Sequence, residues 1–130
     1  MVTPVPSGDA VVALPAAARP VSRVVFLGSK ALGVAVLERL HALAPQALVA
    51  AVTFDDRTDG RSAFDAIVAA CDRRALPLHV AADRRDAERV LRALAPDLCI
   101  VSGWYWLLGG ETLAAARVGF IGIYFSRLPA

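Results

Sequence analysis

No stretch of this 130-residue chain reaches the ~18 unbroken apolar residues that a membrane-crossing helix requires, although apolar residues make up 57% of it. A single soluble domain with a modest core, and no membrane partner, is the expectation. Cysteine is scarce. The two present, Cys71 and Cys99, fall inside a helix pattern and a strand pattern. That placement points to buried free thiols rather than a disulfide or a metal site, and so to a reducing, cytoplasmic setting. Charge of one sign is lacking too: fourteen basic residues against twelve acidic leave a formal +2. This excess is too small to argue for nucleic acid, and the arginines are spread over helical faces that read as solvated. Internal repeats are absent, and low complexity is confined to residues 1–22. Those residues hold four prolines and a single arginine, with no periodicity. A secretory leader needs a basic start and an unbroken apolar stretch, but Asp9 precedes the apolar run here and Pro15 divides it. Residues 1–22 are expected to be a disordered leader, or the product of a start codon placed too early.

What is there is an alternation of short apolar runs and helical patterns. Residues 23–27 form a first buried-strand run that ends at Gly28. Leu32, Val36, Leu40 and Leu43 then fall on one face of a helix over residues 31–43, and Pro45 ends it. Leu48–Phe54 is a second strand, followed by the polar loop 55–61. Phe64, Ile67, Val68 and Cys71 mark a second helix, and residues 78–80 a short third strand. Asp83 is placed to cap a third helix with Ala87, Val90, Leu91 and Leu94 inward. Residues 98–101 and 118–125 are two further apolar runs, with a short amphipathic piece between them. This rhythm implies a five-stranded parallel sheet, with residues 23–27 central and 118–125 at an edge. The fold class is α/β, a Rossmann-like three-layer sheet with helices on both faces.

Between the first strand and helix stands Gly28-Ser29-Lys30-Ala31-Leu32-Gly33. A dinucleotide fingerprint needs a second glycine where Lys30 stands, so lysine there counts against NAD. An acid after the second strand could grip a ribose, but without the glycine code residues 55–61 read as a loop flanking a substrate cleft. That loop is also too short to offer a basic surface to RNA. Two roles are open to Ser29, capping the helix or touching substrate. His79 reads as a strand-end histidine, with nothing nearby in sequence to orient it.

The most informative stretch is 97–130. Its first strand ends in the turn Gly103-Trp104-Tyr105-Trp106-Leu107-Leu108, and its second runs through Gly119-Phe120-Ile121-Gly122-Ile123-Tyr124-Phe125-Ser126-Arg127-Leu128-Pro129. In parallel sheets ligands bind beyond the carboxyl ends of the strands, so turn and tail should share a pocket. Trp104 and Trp106 either line that pocket or pack into the core.

This stretch resembles the folate-dependent formyltransferases, whose pattern is a strand, a Gly/Ala-aromatic turn and then G-x-I-N-x-H-x-S-x-L-P. The resemblance runs from about Arg23 onward. It implies a formyl group moved from 10-formyltetrahydrofolate to an amine, within one-carbon metabolism. By the same resemblance the pterin sits against Gly103, Trp104, Tyr105, Trp106, Leu107 and Leu108, and Ser29, Lys30 and Ser126 meet the acceptor. The G-S-K-x-L-G turn looks like the amino-sugar branch, which makes a nucleotide-linked amino sugar the expected small-molecule amine. Two positions depart from the pattern: Gly122 stands at the asparagine and Tyr124 at the histidine. The family's assisting aspartate would fall beyond Ala130. Residues 23–130 are therefore expected to be a partial, inactive formyl transferase domain, incomplete at its C-terminal side. The alternative is a non-catalytic Rossmann-like module that binds a nucleotide sugar or folate. Strand 118–125 carries no charge or proline, so the chain is expected to self-associate through it.

Overall fold

The computed structural model describes residues 19–123. Five strands alternate with four helices: β1 (Val24–Gly28), α1 (Lys30–Leu43), β2 (Leu48–Phe54), α2 (Phe64–Arg73), β3 (Leu78–Ala81), α3 (Arg84–Leu94), β4 (Leu98–Ser102), α4 (Gly110–Ala114) and β5 (Gly119–Ile123). Every strand pairing is parallel, in the order β3-β2-β1-β4-β5. The expected Rossmann-like α/β sheet is thus present, with β1 central and β5 at an edge. Of the fifth apolar run, residues 124 and 125 lie outside the described residues, as do residues 1–18.

Why these runs become strands follows from burial on both faces. All five residues of β1 are buried, as are six of the seven in β2, so alternation of polar and apolar residues is absent. Successive side chains instead alternate between two cores. Val24 and Phe26 point to Leu37 of α1 and to Ile67 and Cys71 of α2. Val25 and Leu27 point to Ala87 and Leu91 of α3, with Val52 and Cys99 beside them. Both cysteines are free and buried, as the patterns implied. Burial pushes the Cys71 thiol up to about 11 and Cys99 to about 12. No helix among the described residues is long and apolar enough to cross a membrane.

Two helical faces differ from the expected ones. In α1 the buried line is Gly33 and Leu37, with Val34, Val36 and Leu40 packed beside it. Leu43 is 69% exposed. It lies six residues past Leu37, about 240° around the helix, and so points away from the sheet. In α2, Ala70 takes the inward place expected for Val68, which is 39% exposed. The α3 face is as expected, and the Asp83 carboxylate accepts the Asp86 N–H at 2.8 Å as its cap. Asp86 also corrects the view of His79 as unoriented: its Oδ2 lies 2.8 Å from His79 Nε2 and ties β3 to α3.

Candidate functional site: two clefts beside one aromatic turn

The chain runs outward from β1 to β3 and then crosses to β4 on the other side of β1. The carboxyl ends of β1 and β4 therefore form the topological switch point, where sheets of this kind hold a ligand's pyrophosphate. Here backbone closes that crevice. A Cβ on Gly28 would fall 2.1 Å from the Ser102 carbonyl oxygen. A Cβ on Gly103 would fall 2.5 Å from that of Ser29, and Gly103 has φ +69. Ser29 N–H donates to Ser102 O at 2.9 Å, and the Ser29 hydroxyl donates to Gly103 O. Ser29 occupies the N-cap position of α1 yet makes no side-chain cap bond, because its hydroxyl is committed to the turn. Two glycines and one buried serine thus lock the 103–108 turn onto the β1–α1 junction. Ligand space is left on either side of that turn.

On the β5 side lies a cleft of about 510 Å³. It is lined by Val101, Phe120 and Gly122 from β4 and β5, by Leu113 from α4, and by all of residues 104–108. Trp104 and Trp106 meet edge to face with centroids 5.3 Å apart, and Phe54 touches both rings. These indoles also pack on the α3-side core with Leu108. The two roles considered for them, lining and packing, are filled at once. Tyr105 and Leu107 stand 74% and 85% exposed at the rim.

On the β2 side lies a smaller cleft, about 280 Å³. Its walls are Phe54, Asp55 and Asp56 at the end of β2, Thr58 and Asp59 in the next loop, Lys30, and the shared Tyr105 and Trp106. Lys30 is the chain's one lysine. It sits at φ +68, a left-handed backbone that a non-glycine residue adopts only when its surroundings hold it there. Its ammonium donates to buried Asp56, lies 3.3 Å from Asp59, and stands 5.8 Å from the Phe54 ring centre. Asp56 also accepts the Ser62 hydroxyl at 2.6 Å. Arg57 grips Asp55 at 2.9 and 2.6 Å, and its hydrogen bonds draw that carboxyl down to about 2. Arg61 does the same for Asp59 and holds it below the ordinary carboxylate range.

The expected site residues divide accordingly. The 103–108 turn and Gly122 meet at the larger cleft, except that Gly103 serves the lock. Ser29 is in the lock, and Lys30 faces the smaller cleft. Tyr124 and Ser126 lie outside the described residues. The pairing of Lys30 with Asp56 was not foreseen from the sequence. Its one available signal was a solitary lysine among thirteen arginines, followed by an acidic loop.

No protein-family model matches the chain. Curated relatives do. It is 38% identical over 112 residues to methionyl-tRNA formyltransferase of Roseiflexus sp. (strain RS-1), a match covering 82% of this chain and 34% of that protein. It is 37% identical over 112 residues to the enzyme of that name from Anaeromyxobacter sp. (strain K), covering 82% and 36%. With that of Mycobacterium bovis (strain BCG / Pasteur 1173P2) it shares 32% over 113 residues, covering 83% and 36%. The chain spans about a third of the length of these relatives. With this identity lying over a parallel sheet of the expected order, the chain belongs to the formyltransferase family.

Proposed function

We propose that these residues form the donor-binding side of an enzyme that moves a formyl group from 10-formyltetrahydrofolate to an amine. The observation that carries this reading is the β5-side cleft. Its size suits a heterocycle, and its lining is aromatic and aliphatic with backbone polar groups at the turn, as pockets for flat ligands are built. A pterin is apolar on both faces and polar along its edge, which matches that lining. Gly122 borders the cleft, where the carbonyl of a bound formyl group would come to react.

Transfer passes through a tetrahedral oxyanion and needs a proton taken from the attacking nitrogen. A side-chain donor preorganised at the oxyanion contributes ~10²–10³-fold. Gly122 supplies none. A tyrosine such as Tyr124, with an ordinary pKa of about 10, can donate a hydrogen bond but does not cycle as a base at neutral pH. Donor binding with weak transfer is the expected behaviour, and Gly122 likewise favours the second reading, a module that binds folate without turnover. For the acceptor, the relatives' name favours methionyl-tRNA, and it removes support for a partner set without nucleic acid. The amino-sugar reading is weakened by Lys30, whose ammonium is held by Asp56 and Asp59 rather than standing free for a diphosphate.

Calorimetric titration of the chain with a stable formyl-folate analogue tests the proposal. Saturable binding is expected, and Phe120→Ala should weaken it. No heat in either protein would overturn the donor assignment. Brisk transfer to methionyl-tRNA by the unmodified chain would leave donor binding standing and overturn the expectation of weak transfer.

A further inference from the structure

We propose that Lys30 is a positioning residue for the donor cleft: its ammonium braces Phe54, and Phe54 holds in place the two indoles that line the cleft. The inference rests on the donor-binding reading for its ligand, though not for its geometry. Phe54 ends β2 and is buried. Its ring stands 5.3 Å from that of Trp104 and 5.0 Å from that of Trp106, and the two indoles are 5.3 Å apart. The three rings thus close a triangle, and in close-packed surroundings none of them shifts alone. Both indoles line the larger cleft, whereas Phe54 lines the smaller one. A group that fixes Phe54 from the β2 side therefore acts on the cleft beyond the turn.

Lys30 is that group. Its ammonium stands over the Phe54 ring, 5.8 Å from the centre, an attraction that strengthens as the pair leaves water. The Lys30 side chain is 19% exposed and that of Asp56 5%, so solvent screens this contact little. A long lysine stem would ordinarily leave its ammonium mobile. Here Asp56 accepts from it and Asp59 lies 3.3 Å away, while the Ser62 hydroxyl tethers Asp56 in turn. The stem also passes beside the turn, since a Cβ on Gly103 would fall 3.4 Å from Lys30 Cγ. Arg57 is committed elsewhere, to Asp55 and over the Phe64 ring. The backbone points the same way. Lys30 follows Ser29 of the lock at φ +68, where glycine would be relaxed and lysine is strained. A residue that served only to begin α1 would be better as glycine. Strain of this kind persists where the surroundings hold a group in place, and it gathers at sites that need the group there.

Trp104 and Trp106 are the chain's two tryptophans, so indole emission reports on this cluster alone. Two substitutions in the 130-residue chain separate charge from bulk. Lys30→Met keeps a stem and removes the ammonium, whereas Lys30→Arg keeps a cation for both Asp56 and Phe54. With Lys30→Met, emission should move to longer wavelength before any ligand is added, as the indoles loosen toward water. The same protein should bind the formyl-folate analogue about tenfold more weakly, within the range that a part-buried cation–π contact carries. With Lys30→Arg, emission should match the parent and affinity should fall within about threefold of it, because a guanidinium also sits on aromatic faces. Should Lys30→Met fail to fold with Asp56 left buried and unpaired, the same change combined with Asp56→Asn removes both charges of the pair and is read in the same way. No folate binding by the parent would count against the donor assignment alone, and the emission of the unliganded proteins would still judge Lys30. Parent-like emission or parent-like affinity with Lys30→Met, or equal losses with both substitutions, overturns the positioning role.

Discussion

Gly28 is the residue whose lack of a side chain the site depends on most. It ends β1 opposite Ser102, and any Cβ there would meet a carbonyl oxygen 2.1 Å away, with the Phe26 ring at 2.7 Å. The ring could turn aside, but the carbonyl belongs to the neighbouring strand. Gly28→Ala must therefore separate the carboxyl ends of β1 and β4 or tilt the peptide that Ser29 N–H binds. Overpacking of this kind costs about 3 kcal/mol or more where backbone cannot yield. Gly60 is the control, because a Cβ there meets nothing within 4 Å. Gly60→Ala should be neutral or slightly stabilising, as removing glycine's freedom from the unfolded chain allows. Urea unfolding of the three proteins checks this. Equal midpoints for Gly28→Ala and the parent would mean that the two strands have slack, and the lock would lose its basis.

Elements were legible where burial on both faces forced runs of Val, Ile, Leu and Phe. That is why five strands, their parallel sense and the inward face of α3 could be read directly from the residues. The α1 face could not, because apolar residues surround much of that helix and only contact with the sheet selects Leu37 over Leu43. The lock was illegible for another reason: Ser29 and Gly103 are 74 residues apart, and no local pattern announces their meeting. At the far edge, β5 pairs with β4 alone among the described residues. Ile121 and Ile123 are 51% and 37% exposed along it, and Val118 just ahead of it is 48% exposed. An uncharged apolar edge is a template for another strand. The 130-residue polypeptide is expected to self-associate, and Ile121→Lys should return it toward monomer. Light scattering at tens of micromolar (about where such pairing becomes populated) decides. A monodisperse parent at that concentration would end the idea.

Across the whole molecule, the sheet's amino end is gathered by one carboxylate. Asp97, just before β4, accepts the N–H groups of Ser22 and Arg23 ahead of β1 at 2.8 and 3.0 Å, and Arg117 Nε ahead of β5 at 2.9 Å. Its own N–H returns to Arg23 O at 2.8 Å. The Arg117 guanidinium first, and then the backbone N–H groups, hold its carboxyl far below the usual carboxylate range. Asp55, Asp59 and Asp86 are lowered in the same direction by their own partners. In the unfolded chain each returns to about 3.9, so below that value the unfolded state binds more protons than the folded one. The stability they contribute is fully present above the ordinary value and is lost as pH falls through the folded values. Thermal midpoints should hold steady from neutrality to about pH 5 and drop steeply below about pH 4. Asp97→Asn, which cannot carry the charge, should melt earlier at pH 7 and lose less on acidification, so that the gap between its curve and the parent's narrows below about pH 4 and goes on narrowing as pH falls toward the folded value of Asp97. Parallel curves from pH 7 to pH 2 would show that Asp97 gathers the strands through geometry alone, with no share in the acid sensitivity of the fold.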